Sequence, residues 1–72
     1  MKTTITDTHE VNVFENPWEK EPKILYTIKR NEIINVNLSD VVYGFFGHTK
    51  YVKVKTADGT EGYAADGHFK EV

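Results

Sequence analysis

Residues 51–64 read YVKVKTADGTEGYA, and this stretch decides the fold. In its first half Val52 and Val54 alternate with tyrosine and lysine, which predicts a β-strand with one buried and one solvated face. Asp58-Gly59 then separates this strand from a second extended run. Asp-Gly is typical of a type I′ hairpin turn, in which both central residues have positive φ. The stretch therefore predicts two antiparallel strands joined by a tight turn.

The same period-two alternation occurs in most of the chain. Val11 and Val13 flank a polar residue, and residues 33–38 alternate in the same way. Asn31 lies in a turn between two such runs, where asparagine tolerates a left-handed conformation. Windows of 11 residues contain no helical stripe. We therefore predict an all-β fold, a small, partly open barrel of five to six short antiparallel strands.

The domain boundaries follow from this pattern. Residues 1–8 are polar and threonine-rich, which predicts a flexible N-terminal tail or linker, and residues 9–72 form the domain. Asp66 precedes Gly67, and we predict a short 3₁₀ turn here, before the last strand.

Size and composition exclude several classes of protein. The chain has 72 residues, which is enough for one domain that buries about 60% of its unfolded surface. It contains no cysteine, so no disulfide or thiolate zinc site stabilises it. Its net charge of −2 argues against nucleic acid as a partner. Apolar runs fall far short of the roughly 20 residues of a membrane span, and we expect no membrane partner.

Residues 11–72 resemble bacterial SH3 domains, the SH3b modules, in the order and spacing of their strands. The matching stretches are VNVFENP, KILYTIKRNEIINV, YVKVKT and DGTEGYAADGHF. Asn31 replaces the usual turn glycine, Tyr51 a common tryptophan and Phe14 a common arginine. Residues 39–49 are longer than in most members. The resemblance implies an SH3-like barrel, in which residues 15–22 occupy the position of the long first loop.

The resemblance also implies a function. SH3b modules tether hydrolases and surface proteins to the bacterial wall, so we expect a non-catalytic, monomeric module that binds a peptidoglycan stem peptide or cross-bridge. Such a module would act outside the cell or in the wall, as part of a longer secreted or phage protein. No signal peptide is visible after Met1 and Lys2. The alternative is a protein-interaction domain that binds an extended or proline-rich segment of a partner protein.

The candidate ligand-binding residues are aromatic and acidic. Trp18 lies among the glutamates of the first loop, where a ring flanked by carboxylates suits a cationic group, although it could equally fold over the barrel as a lid. The aromatics of VVYGFFGHTK could contact a ligand or pack inward. Tyr63 matches a family position whose ring often lies along the barrel surface. The full set is Glu15, Trp18, Glu19, Tyr26, Tyr43, Phe45, Phe46 and Tyr63.

Other polar residues give weaker signals. His9, His48 and His68 lack the spacing of metal ligands, so we predict surface histidines and no metal or cofactor. Lys50, Lys53 and Lys55 predict one solvated basic face, which could weakly touch an anionic polymer. The sequence contains no recognisable nucleophile, base and acid set and no phosphate-binding loop. We therefore expect that any catalytic activity resides in another domain of a longer protein.

Overall fold

The computed structural model describes residues 2–5 and 10–71, which form one antiparallel sheet. Its strands are β1 (Lys2–Ile5), β2 (Glu10–Phe14), β3 (Ile24–Lys29), β4 (Ile34–Tyr43), β5 (Lys50–Lys55), β6 (Glu61–Ala65) and β7 (Phe69–Glu71). The spatial order is β3-β2-β6-β5-β4-β1-β7, and the sheet curls into a half-barrel with β3 and β7 at its edges. The all-β prediction is confirmed, and the architecture is consistent with a small SH3-like barrel.

The core lies on the concave inner face of this sheet. The alternation seen in the sequence sends one side chain of every two inward, so that Val36 of β4 and Val54 of β5 face each other directly. The fully or nearly fully buried apolar residues are Val11, Val13, Ile28, Ile34, Val36, Val52, Val54 and Ala64. These small aliphatic side chains leave the large aromatic residues outside or at the margin. Over the described residues there is no helix long and apolar enough to cross a membrane.

The N-terminal segment differs from the prediction. Lys2–Ile5 is not a flexible tail but strand β1, which pairs with both β4 and β7. Thr3 is fully buried in this position. Threonine is β-branched and favours extended backbone, and the gap between β4 and β7 offers partners for its peptide groups. The count of strands therefore rises from the predicted five or six to seven, while residues 1 and 6–9 lie outside the described part of the chain.

Two of the three predicted turns differ in type. Asn31 has φ of +70°, as predicted. At the β5–β6 hairpin only Gly59 has positive φ, +91°, and the Thr56 N–H donates to the Thr60 carbonyl at 2.9 Å. This pattern is a three-residue loop with glycine in the left-handed position, so the type I′ prediction is wrong.

The segment before β7 is a short turn in place of the predicted 3₁₀ turn. Gly67 adopts φ of +101°, which lies outside the range of a 3₁₀ helix, and its N–H bonds to the Asp66 carboxylate at 2.9 Å.

Strand β4 contains a large bulge at residues 38–40. Asn37 pairs with Lys53 and Val41 pairs with Val52, so three residues of β4 have no partner on β5. An odd number of extra residues inverts the alternation of the strand. Val41 consequently faces inward and packs against the core, although Asn35 and Asn37 face outward. We call residues 38–40 the bulge and the solvent-facing side of the sheet the outer face.

Candidate functional site

The first loop, residues 15–23, presents Trp18 to solvent. The Glu15 N–H donates to the Lys23 carbonyl at 2.9 Å and closes the base of the loop. The Glu19 N–H donates to the Asn16 carbonyl at 3.0 Å, which makes residues 16–19 a β-turn with proline at its second position. Pro17 is buried, whereas Trp18 is 46% exposed. The turn thus anchors the loop with the buried ring of Pro17 and leaves the ring of Trp18 partly exposed.

The β4–β5 hairpin ends in a second turn that displays aromatic residues, which we call the hairpin tip, residues 44–49. The Gly47 N–H donates to the Gly44 carbonyl at 2.9 Å, and Gly47 has φ of +72°. Phe45 and Phe46 hold the two central positions of this turn and are 51% and 80% exposed. Their rings meet edge to face with centroids 5.0 Å apart. Both rings are therefore exposed to solvent. Strict strand alternation would have placed them on opposite faces of the sheet.

The first loop and the hairpin tip are neighbours in space. A Cβ built on Gly44 would lie 3.7 Å from the Pro17 carbonyl oxygen and 2.9 Å from Cε2 of Tyr51. Glycine is needed here because a side chain would collide with the tyrosine ring. The hairpin tip therefore rests against the first loop immediately beside Trp18, and Tyr51, which contacts Phe14 edge to face at 6.0 Å, supports it from the sheet.

Tyr63 of β6 lies on the outer face of the sheet, next to Trp18. Its ring meets Trp18 edge to face at 5.9 Å, and the Lys53 ammonium lies 5.4 Å from its centroid. The Tyr63 hydroxyl donates to the Asp40 carboxylate at 3.3 Å. Three side chains, from the first loop, the bulge and β5, thus converge on Tyr63 of β6. We use the name aromatic surface for Trp18, Phe45, Phe46 and Tyr63.

The glutamates share the first loop with Trp18, whereas Tyr43 pairs with Lys50 and is out of phase with Tyr63. Tyr43 ends β4 and is 58% exposed. Glu15 and Glu19 are exposed, and the Glu19 carboxylate accepts a hydrogen bond from the Asn16 amide at 3.1 Å. The carboxylates therefore lie on the same loop as Trp18.

Tyr26 lies apart from the other predicted residues. It pairs with Val13, packs against the core, and donates its hydroxyl proton to the Glu32 carboxylate. That hydrogen bond, followed by desolvation, raises the pKa of Tyr26. Its half-buried ring and satisfied hydroxyl assign it to the margin of the core.

A polar depression of about 390 Å³ lies on the outer face beside Tyr63. Its floor contains Val36 and Val54. Its polar lining consists of Asn35, Asn37, Asp40, Lys53, Lys55 and Glu61. The sequence prediction did not include these residues. Alternation does place Lys53 and Lys55 on the face of Tyr51, but nothing local indicates that Asp40 reaches β6.

The predicted basic face needs correction. Lys53 and Lys55 lie on the outer face, whereas Lys50 is out of phase with them and pairs with Asp66 at 3.7 Å. The three lysines thus form two separate features. Among the described residues, no group of three or more histidine or acidic side chains could hold a metal ion, and His9 lies outside them.

Comparison with protein families, with curated proteins and with solved structures finds no match.

Proposed function

We propose that this domain is a non-catalytic binding module that recognises the peptide part of bacterial peptidoglycan and so targets a linked hydrolase or surface protein to the wall. The proposal joins the resemblance to SH3b modules with one structural observation. Two adjacent turns expose Trp18, Phe45 and Phe46 by 46%, 51% and 80%, on loops that approach each other at Gly44 and Pro17.

Exposure of these rings argues for a ligand because folding gains little from them. Burying an aromatic side chain removes 150–250 Å² from water, and each Å² is worth about 25 cal/mol. Phe46 keeps 80% of its surface in water, so most of that free energy is left for a partner. In so small a domain, a cluster of exposed rings is typical of an interaction site.

The charge beside these rings favours an amine. The first loop has three glutamates and two lysines, and Glu15, Glu19 and Glu21 are all exposed. An ammonium group could approach both the carboxylates and the face of the tryptophan ring. Stem peptides and cross-bridges carry free amines on extended backbone, which fits a shallow surface between two loops.

The affinity for a single peptide should be modest. A contact surface of a few rings must offset the translational and rotational freedom that the ligand loses. Attachment to a second module or to an enzyme would raise the effective concentration and make retention on a polymeric wall strong.

Sedimentation with purified sacculi tests this proposal. The whole chain should co-sediment with sacculi at moderate salt, and Trp18→Ala and Phe46→Ala should shift most of it to the supernatant. Ile33→Ala is the matched control, since Ile33 is as exposed as Trp18 but lies in the β3–β4 connection.

Recovery of the wild-type chain entirely in the supernatant, with both Gram-positive and Gram-negative sacculi, would contradict wall binding. Equal release of the Ile33→Ala control would contradict the location of the site.

A further inference from the structure

The polar depression on the outer face has the size and chemistry of a second binding site. Its volume of about 390 Å³ falls within the range of small-ligand pockets. It adjoins the aromatic surface, because Asp40 and Lys53 line the depression and also contact Tyr63. A ligand that covers Tyr63 could therefore continue into it.

The bulge of β4 shapes this depression. Residues 38–40 leave the ladder with β5, and Asp40 reaches the Tyr63 hydroxyl on β6, one strand beyond its own neighbour. A regular strand could not direct a carboxylate so far across the sheet. Bulges are frequent next to functional sites, where they re-aim a side chain.

The charges of the lining balance. Lys53, Lys55, Asp40 and Glu61 all line the depression, two charges of each sign. Lys55 and Glu61 are directly opposite each other on β5 and β6, yet the described residues contain no ion pair between them. Both charges thus remain open to a ligand that brings its own counter-charges. A polyanion would be repelled by the two carboxylates, so the lining favours a dipolar ligand.

Two asparagines supply the groups that recognise a peptide backbone. Asn35 and Asn37 lie on the same outer face of β4, two residues apart, beside Lys55 and Lys53. A side-chain amide can donate to a carbonyl and accept from an N–H. The Asn37 carbonyl oxygen already accepts from the Ser39 N–H at 3.0 Å, which leaves its amide group to donate.

We infer that the depression binds a short zwitterionic peptide, with its carboxylate at Lys53 and Lys55, its amine at Glu61 and its amide groups at the two asparagines. The inference extends the proposed function, since it would give the wall ligand a terminal anchor. It also stands on its own geometry and can be tested without wall material.

Trialanine is a suitable probe. We would titrate the isotope-labelled whole chain at low salt with trialanine, with its C-terminal amide, with its N-acetyl form and with the doubly blocked form. Free trialanine should shift the side-chain amide signals of Asn35 and Asn37 with millimolar affinity. The C-terminal amide should bind about tenfold more weakly, because it loses the charge-assisted hydrogen bond of the carboxylate, and tenfold corresponds to about 1.4 kcal/mol.

Two variants test which charged side chain binds which end of the peptide. Lys55→Gln should remove the difference between free trialanine and its amide, and Glu61→Gln should remove the difference between free trialanine and its N-acetyl form. Lys70→Gln and Glu71→Gln, both on β7 and outside the depression, are the matched controls and should change neither.

Equal affinity for all four peptides, absence of shifts around the depression, or equal effects of the β7 controls would overturn the inference. The two proposals fail separately. Sacculi that do not retain the chain while trialanine still binds would overturn only the wall function. Retention on sacculi without any trialanine binding would overturn only this site.

Discussion

At the scale of single residues, valines fill the core while several aromatic rings lie at the surface. Val13, Val52 and Val54 are fully or nearly fully buried, whereas Phe46 is 80% and Trp18 46% exposed. Small β-branched side chains suffice to fill the narrow interior of a half-barrel. The rings are therefore not needed to fill the core. This supports a role of Trp18 in ligand binding rather than as a lid over the barrel.

We therefore predict that two truncations lower the stability of the fold by very different amounts. Phe46→Ala should change the free energy of unfolding by no more than about 0.5 kcal/mol, as is usual at exposed positions. Val54→Ala should cost about 1–3 kcal/mol, because it leaves a gap in the core. Urea unfolding of both variants measures the difference, and a larger loss for Phe46→Ala would contradict the outward assignment of this ring.

Gly62 is where β6 approaches β2 most closely. A Cβ built there would lie 2.6 Å from Val13 Cγ1 and 2.8 Å from the Phe14 carbonyl oxygen. Because backbone cannot easily move aside, Gly62→Ala should destabilise the fold by about 1–3 kcal/mol. An unchanged midpoint in thermal or urea unfolding would show that the two strands are less closely packed.

At the scale of elements, the turns determine which side chains face solvent. The β5–β6 loop is held by Asp58, whose carboxylate accepts hydrogen bonds from the Thr56 hydroxyl and, at 3.1 Å, from the Thr60 N–H. These bonds, the one from Thr56 first, lower the pKa of Asp58. A lowered pKa in the folded state means that the ionised carboxylate stabilises the fold.

The pH dependence follows from that sign. The stabilisation by Asp58 is fully present above the ordinary aspartate pKa of about 3.9 and is lost as the pH falls through the lower folded value. Thermal melts of Asp58→Ala should therefore differ most from wild type at neutral pH, and the difference should shrink as the pH falls below the ordinary aspartate pKa. Glu71→Ala is the control for loss of a carboxylate. A difference that grows on acidification would contradict the assignment.

The sequence predicted the elements better than their connections. Alternation is a local property of each strand, so the inner positions of β5 and the left-handed Asn31 were predictable. The pairing of Lys2–Ile5 was not, since it depends on an open place between β4 and β7. The bulge was also hidden, because two strands must be aligned before unpaired residues can be recognised.

The candidate site was predictable only in part, for the same reason. Aromatic residues next to glycine and proline indicated rings that could either contact a ligand or pack inward, and only the structure shows Trp18 and Phe46 exposed. The meeting of the first loop with the hairpin tip at Gly44 is a tertiary contact with no local signal. The separation of Tyr26 likewise depends on its register with Val13.

At the scale of the whole molecule, the half-barrel has exposed aromatic rings and a polar depression on its outside. The aromatic surface and the polar depression are continuous through Tyr63, which touches residues of both. A single extended ligand could thus place apolar or cationic groups on the rings and a charged end in the depression. Such a layout would recognise a peptide by its ends and amides more than by its side chains.

The most direct measurement is a titration of the isotope-labelled whole chain with soluble muropeptides released from sacculi, followed by NMR. We predict that the largest shifts fall on the Trp18 indole N–H and on the backbone of Gly44, Phe45 and Phe46, with smaller shifts at Tyr63. Absence of shifts, or shifts confined to the β1 and β7 side of the sheet, would contradict the central claim that these displayed rings bind the wall peptide.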